Sequence, residues 1–296
     1  MWWLRTNGGV KVKRDDLFGK AGGGSKSRML QYILNDAQKY DIIVTAGGPC
    51  SNFNRACALQ CAELGIPMHL VLYSDHPEDF TSSMNMFICK LAGVKTTICN
   101  KSDVAETINN VVSAYSENGL KVKQIYGGGR SVEGIYAYYA AVEELISQLG
   151  GQHIDKVYVA CGTGTTVSGI MAGFQKYSPA TEIHAISVAR FADAEIPIIE
   201  ENIHMLNECL GTRFDMRNLH FHEDFILGEY GRVNEELIDF IKKFTEATGI
   251  LVDPIYTGKA LWGMHKLSYG LDTRNSLFWH TGAIYTLLSN ISKFSL

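Results

Sequence analysis

The chain reads as an α/β protein: two open, twisted, mainly parallel sheets flanked by helices, with a ligand cleft between a larger and a smaller domain. Three observations predict this. Apolar, β-rich runs alternate with amphipathic helical stretches almost throughout, which is the pattern of βαβ units. There are too many such units for one small sheet. Glycine clusters follow the strand-like runs after residues 44, 125 and 160, where parallel sheets bind their ligands, at the carboxyl ends of strands. The smaller domain is expected over residues 37–141, inserted into a larger one made of 1–36 and 142–296.

The elements follow in order. "DIIVTAGG" (41–48) is a short buried strand ending in glycines, and "SNFNRACALQCAELG" is a helix with a polar start and a glycine stop. "PMHLVLY" (67–73) is the next strand and "EDFTSSMNMFICKLAG" (78–93) the next helix. "VKTTIC" and "SDVAETINNVVSAYSENG" repeat the unit, with Ser102 as the expected N-cap. "VKQIYGGG" and "SVEGIYAYYAAVEELISQLG" repeat it again. "DKVYVACGTG" leads into the helical "TTVSGIMAGFQKYS", and "EIHAISVA" precedes a helical stretch over 193–211. "VNEELIDFIKKFTEATG" is an amphipathic helix and "SLFWHTG" the last strand; the charged "KVKRDDLFGK" reads as a solvated edge.

Composition narrows the functional classes. A hydrophobic content of 46% with 20% charged residues is that of a soluble globular protein, and 296 residues suffice for a full core. The net charge of −4, without a block of like charges, points to neither nucleic acid nor a membrane surface as partner. No apolar run reaches the roughly 18 residues of a membrane span. "MWWLRTNGG" lacks the layout of a secretory signal, and the seven cysteines sit in apolar or helical stretches rather than a disulfide framework. A cytoplasmic compartment is the expectation. Cys57 and Cys61 stand at i, i+4 on a helix, but no His or second Cys pair matches them, so they read as small buried residues and no metal is expected.

Residues 21–30, "AGGGSKSRML", place Lys26 after a glycine run at a helix start. A P-loop requires glycine immediately before its lysine, and here that position is Ser25. "CGTGTTVSG" fails the dinucleotide fingerprint, since Val167 stands where the third glycine belongs. What remains there is a strand running into Gly162, Thr163, Gly164, Thr165 and Thr166 at a helix start. Amide N–H groups, hydroxyls and the helix dipole together suit one phosphate monoester, or else form a tight threonine-capped turn. In "TAGGPCSNFNR" (45–55), Ser51 or Asn52 caps a helix, or the helix start receives a carboxylate with the Ser51 hydroxyl beside the reacting atoms.

A lysine after glycines, a serine at a carboxylate site and a single-phosphate cup are the parts of a pyridoxal 5'-phosphate site. The chain resembles the 1-aminocyclopropane-1-carboxylate deaminase/D-cysteine desulfhydrase family, within the tryptophan-synthase-β-like (fold type II) enzymes. Six ordered segments carry the resemblance over most of the chain: "VKRDDL" (12–17) with "GGGSKSRMLQYIL" (22–34), "GGPCSNFNRACALQCAELG", "GGGRSVEGIYAY" (127–138), "ACGTGTTVSGI", "LVDPIYTGKALWGM" and "LFWHTGA". The resemblance implies pyridoxal phosphate as cofactor, a cleft between two domains, a small amino-acid substrate and a homodimer. It makes Lys26 the Schiff-base lysine and base, Ser51 a hydroxyl beside the substrate and Asn52 a ligand of the ring oxygen. Gly162, Thr163, Gly164, Thr165 and Thr166 become the phosphate cradle, Tyr256 the active-site tyrosine and Thr281 the partner of the pyridine nitrogen. Ser51, Asn52, Phe53, Tyr256 and Phe278 are expected around the substrate. The chain departs from the family's pattern at Ser25, at "GPC" before Ser51, at Phe53 and at Phe278, where the ring-opening deaminases carry a second tyrosine.

The implied reaction is α,β-elimination from a small amino acid, D-cysteine desulfhydrase-like, giving ammonia and a 2-oxo acid. A β-replacement synthase, a ring-opening deaminase and a protein that uses its glycine loops only for phosphate are the alternatives. Without the motif around it, Tyr256 would read as a core tyrosine. His280, beside bulky aromatics, reads as a packed, hydrogen-bonded histidine.

Overall fold

The computed structural model describes residues 9–19, 23–74, 79–282 and 284–294. Two sheets form, with every strand pair parallel. The four-stranded sheet contains β2 (Ile42–Gly47), β3 (Met68–Leu72), β4 (Lys95–Ile98) and β5 (Val122–Ile125), in the order β4-β3-β2-β5. The five-stranded sheet contains β1 (Lys11–Arg14), β6 (Lys156–Cys161), β7 (Glu182–Ser187), β8 (Leu219–His222) and β9 (Ser276–His280), in the order β1-β9-β6-β7-β8. The smaller sheet is thus built wholly from residues 42–125. Residue 141, expected as a domain limit, lies inside a continuous helix.

The helices are α1 (Ser25–Ile33), α2 (Asn52–Leu64), α3 (Asp79–Ser82), α4 (Met84–Leu91), α5 (Val104–Glu117), α6 (Val132–Leu149), α7 (Thr165–Tyr177), α8 (Ala192–Leu210), α9 (Glu235–Thr248), α10 (Thr257–Leu267) and α11 (Ile284–Leu288). The sequence signals for α2 hold: the Ser51 hydroxyl accepts from the Asn54 N–H at 3.2 Å, and Gly65 ends the helix at φ 70°. Two expectations change. The helix expected over 78–93 breaks into α3 and α4, because the Ser83 hydroxyl accepts from the Met86 N–H and starts a new cap. Ser102 does not cap α5; it lies in a 3-10 turn and its hydroxyl donates to Asp103 at 2.6 Å.

The segment read as a solvated edge is strand β1, paired with β9 from Lys11↔Leu277 to Arg14↔His280. Its cations are neutralised from far along the chain. Lys13, 8% exposed, donates to Glu144 and, at 2.7 Å, to Gln148, both on α6. Behind it, the buried Asp15 carboxylate accepts from Arg28 Nη2 (2.8 Å) and Nε (3.1 Å), from the Tyr138 hydroxyl (3.1 Å) and from Trp279 Nε1 (2.8 Å). This one carboxylate joins β1, α1, α6 and β9.

The main core lies between α1, α6, α7, α8 and the larger sheet, and includes Met29, Leu30, Tyr138, Ile170, Phe174 and Trp279, all fully buried. Each such side chain contributes about 1.5–3 kcal/mol through removal of apolar surface from water. α7 approaches α6 unusually closely. A Cβ on Gly169 would stand 2.3 Å from the Ile135 carbonyl, and one on Gly173 would stand 2.6 Å from Val142. Only glycine allows that approach, and it fixes the helix whose first turn carries the expected phosphate cup.

Candidate active site

A cleft of about 750 Å³ opens where the carboxyl ends of β2 and β6 face each other. Lys26, Ser51, Asn52, Phe53, Gly162, Thr163, Gly164, Thr165, Thr166, Tyr256 and Thr281 all line it. Eleven of the twelve positions singled out from the sequence therefore meet in one place. Phe278 does not. It is fully buried in the core beside Tyr158 and Ile186, its ring 5.8 Å from that of His280. The expectation that it touches substrate is corrected. All five residues of β9 are buried, so alternation along the strand carried no information about which face looks to the cleft.

Lys26 sits in the first turn of α1, after Gly24 at φ 92°. A Cβ on Gly24 would stand 2.7 Å from the Thr281 carbonyl, and the Ser25 N–H donates to that same carbonyl at 2.8 Å. The loops around Lys26 and Thr281 are thereby held in contact. The Lys26 ammonium donates to the Gly128 carbonyl at 3.0 Å and lies 3.8 Å from the Met29 sulfur. Neither partner is a carboxylate, and burial lowers its pKa from 10.5 to about 8.

The cup begins at Gly162 and turns into α7 through Gly164 at φ 69°. A Cβ there would stand 2.9 Å from Ile199, 3.0 Å from Glu195 and 3.2 Å from Asn202. The amides of Thr166 and Val167 fall in the helix's first turn, where no intrahelical acceptor exists. The Thr163 and Thr165 hydroxyls lie 3.5 Å apart beside them. Under the cup the buried Glu195 carboxylate pairs at 2.9 Å with Arg190, whose guanidinium also donates to the Gly162 carbonyl at 3.2 Å. Arg190 lines the cleft and no motif pointed to it. No local pattern marks Arg190 or Glu195 in "HAISVARFADAE", and their charges meet the turn into α7 through folding alone.

Ser51 is both the cap of α2 and a wall of the cleft. Asn52 donates to Thr286 at 2.8 Å and its carbonyl oxygen accepts from Asn85 at 3.2 Å, so its second amide hydrogen can serve a ligand. Tyr256 precedes α10 and is positioned by Asp253. That buried carboxylate accepts from the N–H groups of Ile255 and Tyr256, both at 2.8 Å, and from the Thr257 hydroxyl at 2.7 Å. The Tyr256 hydroxyl meets that of Tyr230, which reaches over from the loop before α9. Burial, and then Tyr230 itself, raise the Tyr256 pKa well above 10. His280 is the packed residue expected: Nε2 donates to the Leu251 carbonyl at 2.7 Å, and Nδ1 accepts from the Gly282 N–H at 3.2 Å.

An amine of lowered pKa, a helix-start cup with three hydroxyls and a threonine side chain facing the same space fit a phosphorylated aldehyde cofactor. Residues 4–282 match the family described as pyridoxal-phosphate dependent enzyme. The chain belongs to that family. It is an enzyme whose cofactor is pyridoxal 5'-phosphate. A D-cysteine desulfhydrase of Yersinia enterocolitica is 30% identical over 95% of this chain and 88% of its own length. A Pyrococcus furiosus protein, named provisionally as a 1-aminocyclopropane-1-carboxylate deaminase, is 31% identical over 93% of this chain and 84% of its own. A crystal structure of an ACC deaminase homologue superposes with a TM-score of 0.84 at 30% identity, covering 95% of this chain and 86% of that one. A threonine deaminase with 16% identity and a TM-score of 0.65 shares the fold. Among the described residues no helix is long and apolar enough to cross a membrane.

Proposed function

We propose that this pyridoxal-phosphate enzyme is a lyase that expels a β substituent from a small amino acid such as D-cysteine, releasing ammonia and a 2-oxo acid. The observation that carries the reading is Lys26: an amine with no carboxylate partner among the described residues, its pKa lowered to about 8, in a cleft shared with the glycine- and threonine-lined start of α7.

The cofactor, when bound, draws electrons from the substrate's Cα and so acidifies the Cα–H. Lys26 would hold the cofactor covalently, and its amine, freed when substrate takes its place, would remove the Cα proton. Gly162–Thr166 would hold the phosphate on amides and hydroxyls at the positive end of α7. The Thr281 side chain, a neutral group, would face the ring nitrogen. The start of α2 would take the substrate carboxylate, using the Ser51 hydroxyl and the amides of 52 and 53, which the helix leaves unbonded. Tyr256, protonated across the working pH range, would supply a proton to the leaving atom.

The names of the two relatives support a small amino acid as substrate. The test has two parts. Protein reconstituted with cofactor should be yellow, and borohydride should abolish that absorbance while fixing a pyridoxyl label on Lys26. Unreduced enzyme incubated with D-cysteine should yield sulfide, ammonia and pyruvate without a second nucleophile. Turnover by a Lys26→Ala variant, or product formed only when a nucleophile is added, would refute the reading.

A further inference from the structure

The turn from Gly162 to Thr166 offers a phosphate amides, hydroxyls and the end of a helix, none of which carries a full charge. A phosphate monoester carries about −1.5 to −2 charges at pH 7, whereas a helix N-terminus supplies about half a positive one. Behind the turn the electrostatics are worse. The Glu195 carboxylate, 1% exposed, stands 3.0 Å from where a Cβ on Gly164 would lie. An anion-binding turn thus sits directly over a buried anion.

Arg190 changes this. Its Nη1 donates to Glu195 Oε2 at 2.9 Å and to the Gly162 carbonyl at 3.2 Å, which uses both hydrogens of that nitrogen. The N–H groups of Nη2 and Nε have no partner among the described residues. The side chain is 42% exposed and lines the same cleft as Gly162–Thr166. Its backbone is pinned on both sides. The Ser187 hydroxyl donates to the Arg190 carbonyl and the Val188 N–H to the Cys161 carbonyl at 3.0 Å, while the Ala192 N–H donates to Glu223 at 2.6 Å. Arg130, the other cation acting on Glu195, is engaged elsewhere: it donates to Asn202 at 3.0 Å and pairs with Glu201. Burial pushes the Glu195 carboxyl above its ordinary 4.5, and the bond from Arg190 opposes that rise.

Resting on the assignment of residues 162–166 to the cofactor's phosphate, we propose that Arg190 is the cation of that site, its Nη2 and Nε hydrogens reaching phosphate oxygens while Glu195 and the Gly162 carbonyl hold Nη1. A planar guanidinium fork matches the spacing of phosphate oxygens. A second acidic group on the substrate would present the same chemistry. The bond from Arg190 to Gly162, the first residue of the turn, favours the phosphate.

The test titrates apoprotein with pyridoxal 5'-phosphate and with pyridoxal, followed by visible absorbance. Both carry the aldehyde that meets Lys26, so the ratio of their Kd values isolates the phosphate. Arg190→Gln should lower that ratio by about 10- to 100-fold, the range for hydrogen bonds to a charged group. Because this variant leaves Glu195 buried without its partner, Arg190→Gln/Glu195→Gln is measured beside it. That double variant should also fall below wild type, by less, and its affinity for the phosphorylated ligand should depend less on KCl. Glu195→Gln alone, which removes the anion and keeps an oxygen for Nη1, should have a ratio at least that of wild type. A wild-type ratio in both Arg190 variants, an equal loss for both ligands, or a fall in Glu195→Gln would overturn the inference. So would an unchanged ratio with a raised KM for D-cysteine, which would set Arg190 against the substrate instead. Failure of the underlying assignment is separate: wild type would then bind pyridoxal as tightly as its phosphate ester.

Discussion

As the proposed Schiff-base residue, Lys26 needs a neutral amine to attack an aldehyde, and burial brings its pKa from 10.5 to about 8. At pH 7 roughly one amine in ten is then ready, against one in several thousand for an ordinary lysine. The rate of cofactor capture by apoprotein should therefore rise about tenfold per pH unit up to about 8 and level off above it. Stopped-flow absorbance would show this directly, and a rise continuing unbroken to pH 10 would contradict the burial argument. That Lys26 opens a helix was legible in the sequence because glycines before an apolar run are a local pattern. Arg190 and Tyr230 were not, since nothing in their neighbouring residues reports that Glu195 and Tyr256 are their partners. Phe278 misled for a related reason: a strand buried on both faces hides the direction of each side chain.

At the scale of elements, what aims Lys26 is the seating of α1. Arg28, two residues further along that helix, is 5% exposed and paired with Asp15, itself 1% exposed, and with Glu144 at 2.9 Å. Removing one charge of a buried pair costs more than the pair contributes, because the remaining charge is left uncompensated. Asp15→Asn should thus lose about 3 kcal/mol of stability in urea unfolding, and its cofactor affinity should weaken as α1 loosens. A change within about 0.5 kcal/mol would mean that Glu144 alone balances Arg28. The same network explains why β1 escaped a reading by pattern. "KVKR" looks solvated until Glu144 and Gln148, more than a hundred residues away, come to meet Lys13. The turn into α7 was legible, because its glycines answer a local backbone demand. Gly164 holds φ 69° with three side chains within 3.2 Å of a would-be Cβ. Gly164→Ala should weaken cofactor binding by about 1–3 kcal/mol, the cost of forcing a side chain into that conformation. Equilibrium titration of the apoprotein with cofactor measures it, and unchanged affinity would show that the cup does not need this backbone.

On the scale of the whole molecule, the cofactor's expected ligands come from both sheets. Ser51 and Asn52 follow β2 of the smaller sheet, whereas Gly162–Thr166 and Thr281 follow β6 and β9 of the larger one. That division follows the order of the six motifs, and α6 runs unbroken through position 141. A ligand gripped from both sides binds the folded chain and not the unfolded one, so mass action raises stability with its concentration. At cofactor levels about 100 times Kd the gain should be about 2.7 kcal/mol, seen as a melting temperature several degrees above that of the apoprotein. The gain should depend on both walls of the cleft. Replacing Asn52 with Ala, on the small-sheet side, should shrink it while leaving apoprotein melting close to wild type, since Asn52 is half-buried and its bonds go to Thr286 and Asn85 rather than into the core. Calorimetry of apo and loaded forms of both proteins gives all four temperatures. If the Asn52→Ala gain equalled that of wild type, the cofactor would be held by the larger sheet alone.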